Sequence, residues 1–315
     1  MPLLINGVII TDVPNDINSL FNNYPQLEES SLRLVSLDPK VVSPVALVYV
    51  CQREYAIVSP HDKSISIVGT DDTTTCCMAV LRHSTSGVTS LAHFDGSAPQ
   101  STNKYIENMI KRMEEMNISV GISDGRFELH LIGGFNDSRH YSEDLVLKLL
   151  CAYHRQTINI ELVTACVCKL NNTIRNNINW PVIYGIAVNV KTGDIFPATF
   201  TDKGPDIPLR SARYYTGCHE MLDIYDSNMS LLRIGPFNYS PMRGVDLWLQ
   251  QSDEFILQHL STSPEVEPPN FVMSARTTLK FIQKNPFPGV TIFADNRPRY
   301  YRKDDLTGQW LPICY

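Results

Sequence analysis

Between Gly69 and Gly96 the chain reads as loop, strand, tight turn, strand. A polar run Asp71-Asp72-Thr73-Thr74-Thr75 precedes an apolar stretch from Cys77 to Arg82, small polar residues follow, and a second apolar stretch runs from Val88 to Phe94. Two such stretches joined by a short polar turn form an antiparallel hairpin. With the turn centred on Ser84 and Thr85, Cys76 stands directly opposite His93. Opposed residues in such a ladder have Cα atoms ~4.5–5.5 Å apart and side chains on one face, near enough for a thiol to hydrogen-bond an imidazole. The hairpin alone then assembles a nucleophile and a base. The pairing depends on the turn, because a slip of one residue would move every side chain to the opposite face.

Position, not residue type, singles out Cys76, since most intracellular cysteines are small buried core residues. Cys77 alternates to the other face and reads as structural. Cys166-Val167-Cys168 has strand spacing and too few neighbouring ligands for a metal. His83 is expected in solvent at the hairpin tip, and His130, within an apolar strand, as a core or interface residue. Asp71 and Asp72 are as readily turn residues as ligands, and the threonine run is as readily a hydroxyl-rich turn as an oxyanion-binding loop. Gly133-Gly134 marks a sharp turn or a close backbone approach.

Further β-branched runs at Val45 to Cys51, Ser64 to Val68, Phe127 to Ile132, Ile158 to Cys168, Val182 to Val190 and Ile195 to Phe200 read as strands. Tyr105, Ile106, Met109, Ile110 and Met113 make one apolar helical stripe. A second helix is expected from about Ser142, its N-cap, through Leu145, Leu149, Leu150 and Tyr153. Two more, near Asp246 to Leu260 and Asn270 to Asn285, are separated by the proline-rich stretch Ser263 to Pro269. Strands followed by amphipathic helices, with no low-complexity linker and no repeat, predict one mixed α/β domain over residues 1–315, its sheets covered by helices.

A net charge of −6, with lysines and arginines scattered singly among acidic residues, argues against nucleic acid or anionic membrane as a partner. The start Met1-Pro2-Leu3-Leu4 has no basic lead or sustained apolar stretch. A soluble cytoplasmic protein, with the nucleus also open to it, is the expectation. The eight cysteines lack the spacing of a secreted disulfide scaffold and are expected as reduced thiols.

The chain resembles the eukaryotic protein N-terminal asparagine amidohydrolases. The resemblance runs from Met1-Pro2-Leu3-Leu4 through Tyr49-Val50-Cys51-Gln52-Arg53-Glu54, Ser64-Ile65-Ser66-Ile67, the Asp71 to Cys76 loop and Val80-Leu81-Arg82-His83. It continues through His130-Leu131-Ile132-Gly133-Gly134-Phe135, Pro181 to Asn189, Arg233-Ile234-Gly235-Pro236 and Leu260-Ser261-Thr262-Ser263-Pro264, and it weakens over Asn171 to Asn179 and the last residues. It implies an α-β-β-α sandwich of two stacked mixed or antiparallel sheets, shared with chemoreceptor glutamine deamidases and cytotoxic necrotizing factors. Their sites pair a cysteine with a histidine seventeen residues later, the spacing of Cys76 and His93, and place an orienting hydroxyl or carbonyl six residues before the cysteine, at Thr70. The doubled Cys76-Cys77 leaves open which thiol a chemical label would reach.

On that resemblance the expected reaction is deamidation of an N-terminal asparagine side chain to aspartate through a Cys76 thioester, with His93 as base, Thr70 orienting it and no cofactor or metal. The partner would be a protein or peptide bearing N-terminal asparagine, the enzyme a monomer, and the new aspartate a signal for arginylation and ubiquitin-dependent degradation. Recognition of a free α-ammonium calls for a carboxylate, with Asp71, Asp72, Glu54 and Asp95 as candidates, and Thr75, Gly133 and Gly134 complete the substrate-binding set. Two other readings stay open: a deamidase of internal glutamines, and a non-catalytic module that binds N-termini. A papain-like protease is disfavoured, because no Cys-Gly-Ser-Cys-Trp type motif is present.

Overall fold

The computed structural model describes residues 3–98, 100–122 and 124–313. Met1 and Pro2, where the resemblance begins, lie outside them. In chain order the elements are β1 (Leu3–Ile5), β2 (Val8–Ile9), α1 (Ile17–Asn23), α2 (Gln26–Val35), β3 (Lys40–Val42), β4 (Leu47–Tyr49), β5 (Glu54–Val58) and β6 (Ile67–Thr70). The hairpin of β7 (Cys77–His83) and β8 (Thr89–Phe94) is followed by α3 (Thr102–Ser119), β9 (Phe127–Gly133), α4 (Tyr141–His154) and β10 (Ile160–Val167). Then come β11 (Asn172–Arg175), β12 (Ile178–Pro181), β13 (Ile186–Asn189), β14 (Ile195–Phe200), α5 (Ile207–Tyr215), β15 (Leu222–Asp223), β16 (Tyr225–Asp226) and β17 (Leu231–Ile234). The chain closes with α6 (Val245–Leu249), α7 (Asp253–Leu260), α8 (Phe271–Lys284), α9 (Pro288–Thr291), β18 (Arg299–Lys303) and β19 (Trp310–Pro312).

Two sheets stack through the alternation of their strands. The larger runs β15-β5-β8-β7-β9-β10-β1-β2 and the smaller β3-β14-β13-β6-β4. One face of the larger sheet turns Cys77, Ala79, Leu81, Ala92, Phe94, Leu129 and Leu131 toward the apolar stripes of α3 (Ile106, Met109, Ile110, Met113) and α4 (Leu145, Leu149). The other face turns Met78, Val80, Leu91 and Ile132 toward Val48, Val68, Ile186 and Val188 of the smaller sheet. Beyond that sheet, Val42, Leu47, Tyr49, Ala187, Ala198 and Phe200 pack against Ile207 and Tyr214 of α5. The molecule is the expected mixed α/β sandwich. Among the described residues no helix is long and apolar enough to cross a membrane.

The hairpin departs from the sequence reading in its register. Met78, not Cys76, stands opposite His93, and Cys77 opposite Phe94. The turn is a four-residue loop: the His83 N–H donates to Val88 O and the Gly87 N–H to His83 O, each at 2.9 Å, with Gly87 at φ 72°. Ser86 sets this length by donating its N–H to His83 Nδ1 at 3.2 Å while its hydroxyl reaches Asn117 Oδ1 at 2.7 Å. His83 is therefore buried, not at an exposed tip. The slip equals two residues, a full side-chain period, so Cys76, which shares the parity of Met78, keeps the face of His93.

Two other expectations change. Ser142 does not cap α4: the Asp137 carboxylate receives the N–H groups of Tyr141 and Ser142, and the Ser142 hydroxyl turns back to accept the Phe135 N–H at 3.2 Å. The helix expected over Asp246 to Leu260 is two helices, the second capped by Ser252. Asn171 to Asn179 forms part of a hairpin whose tip, Asn176-Asn177, has both residues at positive φ.

Arg210 of α5 is fully buried and forks onto Glu54 of β5, with Nε to Oε1 at 3.0 Å and Nη2 to Oε2 at 2.6 Å. Its remaining hydrogens reach Tyr49 O and Lys203 O, so the pair joins both sheets to α5. Removing one partner strands a charge in the interior, at a cost of about 3–5 kcal/mol. Glu54→Ala should lower stability by that amount in denaturant unfolding followed by circular dichroism. An unchanged midpoint would show that the pair does not support the fold.

Candidate active site

Thr70 ends β6 in the smaller sheet, and His93 sits in β8 of the larger. Where the sheets face each other, Thr70 Oγ1 lies 2.8 Å from His93 Nδ1, and both residues are buried. It is thus the Thr70 hydroxyl, not its carbonyl, that meets the ring. The other ring nitrogen, Nε2, is buried without a hydrogen-bond partner. With Nδ1 donating its hydrogen to Thr70, Nε2 carries a free lone pair.

Cys76 closes the loop that leaves Thr70 and immediately precedes β7, and with His93 it lines a cavity of about 250 Å³. Asp71, Asp72, Thr74, Lys203, Tyr214, Tyr215, Ser261, Thr262 and Glu267 are also in its wall. Two clefts of about 330 Å³ flank the Phe135–Ser138 loop, but neither contains His93 or Cys76. Chemistry, not size, selects the smaller cavity.

The loop is held from three sides. The Thr73 N–H donates to Tyr184 O at 2.9 Å, which removes it from any oxyanion site. Thr75 Oγ1 lies 2.8 Å from Thr262 Oγ1, tying the loop to the segment after α7. Gly133, at φ 118°, lets the Cys76 carbonyl approach: a Cβ there would lie 2.8 Å from that oxygen. Gly134, at φ 62°, makes the same kind of room for Ser142. The N–H groups of Thr74, Thr75 and Cys76 make no hydrogen bond among the described residues. They are the free donors next to the thiol.

Burial governs the titration of the pair. It pushes the Cys76 thiol well above its ordinary range, with Asp95 and Glu267 adding to the effect. Burial likewise holds the His93 imidazole down at about 4. Burial thus favours the neutral form of both groups. The neighbouring thiol of Cys77 is pushed up to about 12 by burial and belongs to the opposite core.

The four carboxylates expected to meet an ammonium already have cations. Glu54 is matched by Arg210 and lies outside the cavity wall. Asp95 accepts from Arg53 Nε at 2.6 Å and from Gln52 at 2.7 Å; burial works against its charge, but Arg53 and Ser97 outweigh it and hold its carboxyl below the usual range. Asp71 and Asp72 share Lys203, and Asp71 also accepts from Tyr49 Oη at 2.6 Å and Phe200 N at 3.3 Å. The Lys203 ammonium is held in its charged form against burial by those two carboxylates. His130, half-buried, bonds Thr164 and stands apart from the cavity.

Sequence reasoning missed Glu267. It follows α7 in the stretch read only as a helix break, and Ser261 Oγ donates to its Oε1 at 2.5 Å. Burial, with Asp72 adding, pushes its carboxyl up to about 7, and among the described residues no lysine, arginine or histidine pairs with it. An acidic residue among prolines between two helices was the available signal. Among the described residues no cluster of His, Cys, Asp and Glu has the arrangement of a metal site.

Comparison with known proteins identifies the family. Residues 37–312 match the family model described as protein N-terminal asparagine amidohydrolase. The proteins of that name from Homo sapiens and Sus scrofa are each 44% identical over 313 residues, 99% of this chain and 98% of theirs. The one from Arabidopsis thaliana is 29% identical, covering 92% of this chain and 87% of its own. With a model match over most of its length and relatives aligned from end to end, this chain belongs to the protein N-terminal asparagine amidohydrolase family.

Proposed function

We propose that this chain, a hydrolase by its family, converts the side-chain carboxamide of an N-terminal asparagine into aspartate, with Cys76 as nucleophile, His93 as base and Thr70 as the residue that positions His93. The observation that carries the reading is the 2.8 Å contact between Thr70 Oγ1 and His93 Nδ1, which leaves Nε2 as an unpartnered base in the cavity that Cys76 lines.

Because thiol and imidazole are both neutral at rest, attack and proton transfer go together. Sγ bonds to the carboxamide carbon as its proton passes to Nε2. The N–H groups of Thr74, Thr75 and Cys76 stabilise the tetrahedral oxyanion. The imidazolium returns the proton to nitrogen, the C–N bond breaks, and ammonia leaves a thioester. A water then gives its proton to Nε2 as its oxygen bonds to the thioester carbon, the C–S bond breaks, and aspartate departs from a reprotonated thiol. Thr70 keeps the ring from rotating through both halves. No step calls for a metal or organic cofactor. The product, a new N-terminal aspartate, is the kind of terminus that arginylation reads, which places the reaction upstream of ubiquitin-dependent degradation.

Three measurements test this reading. Cys76→Ala should lower ammonia release from an Asn-initiated peptide by at least ~1,000-fold; unchanged release would remove Cys76 as the nucleophile and restore the non-catalytic binding module if wild type too is silent. Equal release from the free and Nα-acetylated peptides would favour an internal deamidase. Thr70→Val, which keeps the shape but loses the hydroxyl, should cut kcat by up to about 100-fold with KM little changed, and Thr70→Ser should restore it. A Thr70→Ser variant as slow as Thr70→Val would show that the hydroxyl does not position the ring.

A further inference from the structure

A site that acts on a terminal asparagine and rejects an internal one needs a group that is satisfied only by a free α-ammonium. The carboxylates that sequence reasoning nominated already have cations: Arg210 for Glu54, Arg53 for Asp95, and Lys203 for Asp71 and Asp72. Glu267 is different. It lines the cavity with Cys76 and His93, its Oε1 has only the Ser261 hydroxyl, and no described cation pairs with it.

We propose that the Glu267 carboxylate receives the α-ammonium of the substrate's first residue, and that this ion pair is what confines the reaction to chain termini. The inference rests on the deamidase reading above and deepens it.

The surroundings of Glu267 fit a receptor that waits for a charge. Pro268 and Pro269 follow it and restrict the backbone there, so little conformational freedom is lost on binding. The segment is moored to the nucleophile's own support, since Thr75 meets Thr262 at 2.8 Å and Tyr184 Oη reaches Val266 O at 3.2 Å. The amine site and the thiol therefore keep a fixed separation. That gives a reason for choosing asparagine over glutamine: with the amine anchored, one more methylene carries the carboxamide past Sγ. A half-buried carboxyl pushed up by burial gains from an arriving ammonium, which favours its ionised form. Glu267 also helps to push the Cys76 thiol up. An ammonium that neutralises it eases the proton off sulfur, so the correct substrate assists its own attack. An internal asparagine has a neutral peptide nitrogen there and gives neither benefit.

Asp72 is the competing receptor, because it shares Lys203 with Asp71 and its side chain is half exposed. The experiment uses two peptides differing only at the first residue: asparagine, and its analogue with hydrogen in place of the α-amine, a 3-carbamoylpropanoyl group. In wild type, kcat/KM should fall by at least ~100-fold when the amine is removed. In Glu267→Gln, the amine peptide should drop to the level of the desamino peptide, while desamino turnover should hold or rise, because the substitution also removes a charge that keeps the proton on sulfur, and this turnover itself reports a folded site. Glu267→Asp should recover part of the preference, and Asp72→Asn should keep nearly all of it. A Glu267→Gln variant that retains the wild-type preference, or an Asp72→Asn variant that loses it, would overturn the assignment while leaving the deamidase reading intact. Equal turnover of both peptides by wild type would remove the N-terminal reading itself.

Discussion

One hydrogen bond crosses the gap between two stacked sheets, and the site is arranged around it. Thr70 belongs to a strand paired on both sides, by β13 and β4, and His93 to one paired by β5 and β7. Neither can shift without breaking a ladder, so the distance between hydroxyl and ring is set by how closely the two sheets pack. The apolar layer of Met78, Val80, Leu91, Val68 and Ile186 fixes that distance. The loop from Asp71 to Cys76 must then cross from the smaller sheet to the larger. Asp71 ties its start to Tyr49 and Phe200 of the smaller sheet, and Gly133 admits its last carbonyl against the larger. A cysteine at the end of such a bridge arrives in the same cavity as the histidine by topology. A long-range search by flexible segments is not needed.

How much of this could be read in advance follows from the range of each interaction. The faces of β7 and β8 were legible because alternation has a period of two, and even a mistaken turn preserved them when the error was two residues. The turn itself was not legible, because its length depends on Ser86 reaching Asn117 in α3, thirty-one positions away. The cap of α4 failed for a similar reason: Ser142 has the right residue type, but Asp137 occupies the amides first. The carboxylates were named by residue type, whereas their freedom to meet an ammonium depends on partners such as Arg210, 156 residues from Glu54. The sequence offered Glu267 as an acidic residue among prolines but not what sets it apart. Its defining property is a missing cation, and a sequence lists residues without saying which of them stay unpaired.

The same bookkeeping of charge explains why the resting site holds a neutral thiol and a neutral imidazole instead of an ion pair. Both are enclosed, and enclosure disfavours charge on either group. The carboxylates that act on the thiol are Asp95 and Glu267, and Arg53, the cation that offsets them in part, is committed to Asp95. A thiolate formed before substrate enters would therefore face negative neighbours that Arg53 offsets only in part, and it would also be open to oxidation and to any passing electrophile. Holding the proton on sulfur until a cation enters couples reactivity to occupancy. The sheets supply fixed geometry, the walls supply a deficit of positive charge, and the terminal ammonium is the one feature of the correct substrate that supplies what the walls lack.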